Sequence, residues 1–109
     1  MKAANDGLSL KLRAISDPVR REILRLLARK GLCSLDRAEG MCAADLQQQM
    51  GLAQPTISHH MRVLAEAGLV RGEKVGTWVC YCREDAALRR LAREVREELE
   101  QKAGTQQAP

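Results

Sequence analysis

Apolar residues recur at helical spacing up to Leu69 and at every second position beyond it, and this change of period restricts the possible folds more than any other feature. Leu46 and Met50 share one helical face that stops at Gly51. After Leu52 and Ala53 the period resumes with Ile57, Met61 and Leu64, closes at Gly68, and leaves Leu69 to pack back behind the stop. Two helices joined by so brief a turn predict a helix-turn-helix. Val70 to Lys74 and Thr77 to Cys82 then flank a turn at Val75-Gly76 and read as a β-hairpin.

Upstream, Leu8, Leu12 and Ile15 form a short first helix ending at Ser16-Asp17-Pro18, where Asp17 caps a second helix that begins at Pro18. That second helix carries Val19, Ile23, Leu26 and Leu27 on its apolar stripe, with Arg20, Arg21, Arg25, Arg29 and Lys30 around the remainder, and ends by Gly31. Residues from Gly31 to Met41 show no period and read as a loop before a third helix from Cys42 to Met50. A final helix from Asp85 to Lys102 places Leu88, Leu91, Ala92, Val95 and Leu99 on one narrow stripe. The fold expected is mainly α with a β-hairpin wing: a winged helix-turn-helix of five helices and a two-stranded wing. It occupies residues 1–103 as one domain, followed by a disordered tail over residues 104–109.

With 109 residues the chain has room for one core, and because Phe is absent that core must be built from Leu, Ile, Val, Met and Ala. The formal net charge of +4 favours a polyanionic partner. No run approaches the ~20 apolar residues of a membrane span, and no signal peptide is visible, so the expected location is cytoplasmic with no membrane partner. Neither a nucleophile with a placed base nor a complete catalytic metal site is present, which argues against an enzyme.

The fourth helix presents amide, hydroxyl, imidazole and guanidinium groups near its start, from Gln54, Thr56, Ser58, His59 and Arg62. Such groups at a helix N-terminus suit base edges and phosphates in a DNA major groove. Arg71, Lys74 and Thr77, placed near the hairpin tip, suit a neighbouring phosphate or minor groove. His59 and His60 point ~100° apart and do not converge on one ion.

The run from Leu12 to Arg83, with Ser16-Asp17-Pro18-Val19-Arg20, Gln54-Pro55-Thr56-Ile57-Ser58-His59-His60 and Gly76-Thr77-Trp78-Val79, resembles the ArsR/SmtB family of metal- and redox-responsive repressors. The resemblance implies a homodimer joined through the first and last helices, bound to double-stranded operator DNA without a required cofactor and released by an inducer. Leu8, Leu12, Leu88, Leu91, Val95 and Leu99 are the candidate dimer contacts. The family commonly has Ser or Thr at the position of Ala53, so a helix cap is missing here.

Arsenic-responsive members open the third helix with Cys-x-Cys, whereas this chain has Cys42-Ala43-Ala44 and keeps only the first thiol. The last helix has no histidine between residues 85 and 102, against a zinc site of the kind other members carry. Cys33 and Cys42, bracketing the loop, and Cys80 and Cys82, on one face of the second hairpin strand, are candidate thiolate ligands in one site or two. Neighbours on one strand face lie ~6.5 Å apart, so Cys80 and Cys82 need a bend or another ligand to share an ion. Val79 and Tyr81, on the opposite face, are the expected core contributors, and Trp78 is expected to pack within the wing. Soft trivalent arsenic or antimony is the inducer these features suggest, with another soft metal ion, or thiol oxidation and reactive sulfur, as alternatives. Free cysteine is also a common core residue, and a protein-binding winged helix is the reading outside gene regulation.

Overall fold

Asp17 and Pro18 turn the chain between its first two helices, α1 (Gly7–Ile15) and α2 (Pro18–Leu27). The Asp17 carboxylate accepts hydrogen bonds from the backbone N–H groups of Val19 at 2.7 Å and Arg20 at 3.4 Å, while Pro18 occupies a position where no N–H is required. In the computed structural model, which describes residues 7–35 and 39–101, there follow β1 (Met41–Cys42), α3 (Ala43–Met50), α4 (Gln54–Glu66), β2 (Val70–Val75), β3 (Trp78–Arg83) and α5 (Asp85–Glu100). The expected tail over residues 104–109 lies outside the described residues, as does Lys102, and α5 ends at Glu100.

The five helices and the hairpin wing agree with expectation, and a third strand is added to them. β1 pairs antiparallel with β3, giving a sheet of order β1-β3-β2 in which Met41 faces Tyr81 and Cys42 faces Cys80. The segment read as an unstructured loop therefore ends as an edge strand, and Cys42 precedes α3 instead of opening it. Two residues were too short a run for alternation to show. The hairpin register closes on Val75 opposite Trp78, which moves the turn to Gly76-Thr77.

Ile23, Met41, Leu46, Ile57, Leu64 and Leu69 are fully buried and join α2, the sheet, α3 and α4 in one core. Each such side chain contributes roughly 1.5–3 kcal/mol on leaving water. Arg20, expected on the polar face of α2, is instead buried. Its Nε donates to the Ala14 carbonyl oxygen at 2.6 Å, Nη2 to the Arg13 carbonyl oxygen at 3.3 Å, and Nη1 stands 3.6 Å from Asp17 Oδ2. The end of α1 offers carbonyl oxygens that lack helical partners, and a guanidinium is the group able to satisfy several together.

Arg20 Nη1 also lies 3.1 Å from Nδ1 of His60 on α4. Arginine has no acceptor, so Nδ1 accepts, and the imidazole is neutral with its proton on Nε2. Burial lowers the His60 pKa below its ordinary 6.5; the Asp17 carboxylate opposes that shift, and the charges of Arg20 and His59 add to it. In the unfolded chain the ring takes a proton near its ordinary value while the folded ring resists, so folding stability falls as pH drops below about 6.5 and levels off under the folded value. Urea midpoints measured from about pH 7.5 to 5.5 should therefore decline for the wild type and decline less for His60→Gln. Equal slopes would place the proton uptake elsewhere.

Candidate nucleic-acid interface and thiol cluster

Gly51 makes the turn between α3 and α4. It adopts φ +66°, a left-handed conformation that side chains resist, and both its N–H and that of Leu52 donate to the Gln47 carbonyl oxygen, at 2.9 and 3.2 Å. The chain then re-enters a helix at Gln54 with Ala53 as the flanking residue. Ala53 supplies no side-chain cap, so N–H groups of the first turn of α4 have no cap acceptor from it.

Ile57, Met61 and Leu64 fix the inner face of α4 in the core, and that fixes what the outer face presents. Gln54, Thr56, His59 and Arg62 are exposed on it, and Ser58 is half-buried. Gln54 Nε2 donates to Ser58 Oγ at 2.6 Å, which holds these two polar groups together at the helix start. His60, adjacent to His59, turns inward to Arg20.

Lys74 and Thr77 stand exposed at or beside the hairpin tip. Arg71 does not. It pairs in register with Cys82 at the hairpin base, and its Nη1 lies 3.4 Å from Glu84 Oε1. Arg71 is the second residue of the six-residue β2, so the strand carries the tip away from it. Trp78, expected to pack within the wing, is 48% exposed at the tip. The wing base is anchored by Arg83, which donates to the Leu24 carbonyl oxygen at 3.0 Å and to Asp85 Oδ1 at 2.8 Å.

The cysteines are all buried. Cys42 and Cys80 face each other across the β1–β3 pair, and cross-strand partners project to the same side of a sheet. Cys33 reaches that side from the loop after α2, bringing its Sγ 3.7 Å from that of Cys42. The Sγ atoms of Cys33, Cys42 and Cys80 lie within 4.8 Å of one another, packed by Leu35 and Val75. Ser34 holds the loop in place, since its N–H and hydroxyl donate to Asp45 Oδ2 in the first turn of α3 at 3.0 and 3.2 Å. Burial pushes the Cys42 thiol well above the usual range, and hydrogen bonds and charge from Cys80 and Cys33 push it further in the same direction.

Cys82 shares the strand face of Cys80 but stands apart from this trio, with its Sγ 4.0 Å from the Glu39 carbonyl oxygen. Gly40 passes directly over it with φ +82°, and a Cβ there would come within 2.8 Å of the Cys82 sulfur and collide with the Tyr81 carbonyl oxygen. Expecting Val79 and Tyr81 to supply the inner face was only half right. Tyr81 does pack against the main core, but the returning segment before α3 covers the cysteine face as well. The sequence offered two cysteine pairs, and the fold makes a trio because β1 aligns Cys42 with Cys80.

On the helical side, Leu91 is 3% exposed in the protomer's own core, and Leu8, Leu88 and Val95 pack against that core. Counting Leu91 as a free dimer contact is thus corrected: it is buried within its own protomer, where α5 packs against α1. Leu12 at 39% and Leu99 at 77% remain outward, joined by Leu10 at 41%, which the stripe reading passed over.

Residues 15–73 match a family model described as a helix-turn-helix domain. An uncharacterized HTH-type transcriptional regulator, MJ1325 of Methanocaldococcus jannaschii, is 41% identical over 69 residues, covering 63% of this chain and 68% of that protein. The arsenical resistance operon repressor of Staphylococcus xylosus is 42% identical over 74 residues, covering 68% of this chain and 62% of its own length. Among solved structures, an ArsR-like transcriptional regulator from Rhodococcus sp. RHA1 superposes with a TM-score of 0.68 at 29% identity, covering 85% of this chain and 78% of that one.

The missing cap on α4 has a measurable consequence. Ala53→Ser, at an exposed position with extended backbone, should raise folding stability by about 0.5–1 kcal/mol in urea denaturation. An unchanged midpoint would mean that the N–H groups of the first turn are already satisfied.

Proposed function

Since the chain belongs to the ArsR family of winged helix-turn-helix transcriptional regulators, we propose that it is a repressor that binds a dyad-symmetric operator as a homodimer and leaves it when its cysteine thiolates take up trivalent arsenic, trivalent antimony or another soft metal ion. The observation that carries the DNA-binding half is α4 itself. Its inner face is fixed by Ile57, Met61 and Leu64, its uncapped N-terminus presents Gln54, Thr56, His59 and Arg62 outward, and the hairpin that follows it bears an exposed Lys74 near its tip. A major groove accepts such a helix by its N-terminal end, and the wing contacts set its register on the backbone. This reading makes the protein a regulator and not an enzyme.

One recognition helix reads few base pairs, and two held ~34 Å apart read a specific operator. Leu10, Leu12 and Leu99 are outward apolar side chains on α1 and α5, and they favour these helices as the dimer face. The inducer half rests on the buried sulfurs and on the similarity to arsenical resistance repressors. Thiol oxidation is the second reading, favoured by the 3.7 Å between Cys33 and Cys42, from which a two-electron oxidant such as a peroxide, itself reduced to water, would close a disulfide of ~2.05 Å.

Fluorescence anisotropy on operator duplexes tests the interface. Arg62→Ala should weaken specific binding by about 1–3 kcal/mol, and Lys74→Ala should weaken all sequences alike and lower the salt slope by about 1. Full operator affinity in both variants would remove α4 and the wing as readers. For the dimer, Leu99→Glu combined with Leu12→Glu should yield folded monomers by sedimentation, whereas Leu91→Glu should unfold the protomer. A wild-type protein that sediments as a monomer at micromolar concentration would overturn the assembly.

A further inference from the structure

The sulfur trio lies where three parts of the chain meet. Cys33 belongs to the loop after α2, Cys42 to β1 at the start of α3, and Cys80 to the central strand of the wing sheet. We infer that these three sulfurs form one three-thiolate site for a trivalent metalloid hydroxide such as arsenious acid, with Cys82 outside it. This inference rests on the thiol-responsive reading above and specifies its ligands, stoichiometry and ion class.

Geometry supplies the first reason. Sulfurs bonded to one soft centre at ~2.3 Å stand roughly 3.4–3.8 Å apart, from pyramidal to tetrahedral bond angles. Cys33 and Cys42 are already at 3.7 Å, and all three Sγ atoms lie within 4.8 Å, so small side-chain adjustments close a three-coordinate site. Cys82 points instead beneath Gly40 toward the Glu39 carbonyl oxygen. The backbone geometry fixes this division, because the β1–β3 register selects Cys80 as the partner of Cys42.

Charge supplies the second reason, and it selects the ion. Three thiolates around a divalent cation carry a net charge of −1, and burying that charge among Leu35, Val75 and the core is costly. Three thiolates around a trivalent centre are neutral. Arsenious acid also arrives as a neutral hydroxide: three S–H and three As–O bonds break, three As–S bonds form, and each displaced hydroxyl leaves as water with a thiol proton. No oxidation state changes and no net proton is released. Arsenious acid therefore enters a site of protonated thiols without expelling protons to solvent, while a divalent ion must displace them.

Occupancy would bind the loop, the start of α3 and the wing into one unit. Ser34 already ties that loop to Asp45 of α3, so the ion extends an existing connection into the hairpin that carries Lys74 and Thr77. An operator-bound state that requires the wing and α3 to move relative to each other is disfavoured by the metalloid in proportion to that difference.

The test uses the full reduced chain, kept reduced by a phosphine, and titrates it with arsenite and separately with cadmium. X-ray absorption of the arsenite complex should show three As–S bonds and one arsenic per protomer. Cys33→Ser, Cys42→Ser and Cys80→Ser should each weaken arsenite binding at least about 10-fold, and Cys82→Ser should leave it within about twofold. Far-ultraviolet circular dichroism verifies that each variant is folded, and the wild-type coordination number stands whether or not they are. Arsenite affinity should be nearly flat between about pH 6 and 8, while cadmium affinity rises with pH as protons are displaced. Two As–S bonds, an equal loss in Cys82→Ser, or arsenite affinity that rises with pH as steeply as that of cadmium would overturn the site. Three-coordinate binding that leaves operator affinity unchanged would instead overturn the proposed release and leave the site standing.

Discussion

The guanidinium of Arg20 holds together the helices that carry the proposed DNA-recognition surface. It starts on α2, closes the carbonyl end of α1 through Ala14 and Arg13, and reaches His60 on α4. A buried cation is tolerated only when its donors are matched, and here the matching groups come from α1, from the Asp17 cap and from α4. Rotating α4 to face DNA differently would break the His60 contact and leave a buried charge short of an acceptor. The same constraint explains why adjacent histidines have opposite fates: His60 is committed inward, and His59 is left on the exposed face. The burial of Ile57, Met61 and Leu64 sets the depth of α4, and Arg20 contributes to its rotation.

A second constraint acts through the sheet. β3 lies between β1 and β2, so the wing is not an appendage hung from the end of α4 but shares hydrogen bonds with the residues that lead into α3. Gly40 permits this closure because the approach to β1 runs against the Tyr81 backbone and the Cys82 sulfur, where a Cβ does not fit. Arg83 fastens the other end of β3 to α2 and α5. Helix-turn-helix and wing are thereby coupled through a strand of two residues, and the cysteine trio sits where that coupling is made.

The surface proposed to face DNA is lightly built. Its residues belong to elements fixed from behind, and its first turn lacks the cap that commonly steadies such a helix. A ligand that supplies acceptors to those N–H groups, as a phosphate does, satisfies donors the protein leaves open. This economy suits an interface whose partner completes it.

Much of this was legible in the amino-acid order, because helical and strand periods are local properties. Asp17-Pro18 marks the first corner, Gly51 the helix-turn-helix, and the shift of period after Leu69 the wing, and a few neighbouring residues suffice to specify each. The outward set on α4 followed from the inward set, since one helix has one buried face. The inward turn of Arg20 was not legible: an arginine beside an apolar stripe looks solvated until α1 and α4 supply acceptors. Nor was β1, whose two residues carry no alternation, nor the grouping of Cys33, Cys42 and Cys80, separated by up to 47 positions in the chain. Sequence decided which residues are helical, which are extended and which offer thiols. Only the tertiary structure decided which thiols meet and which cation is buried, because those outcomes depend on register and packing between segments that carry no information about one another's position.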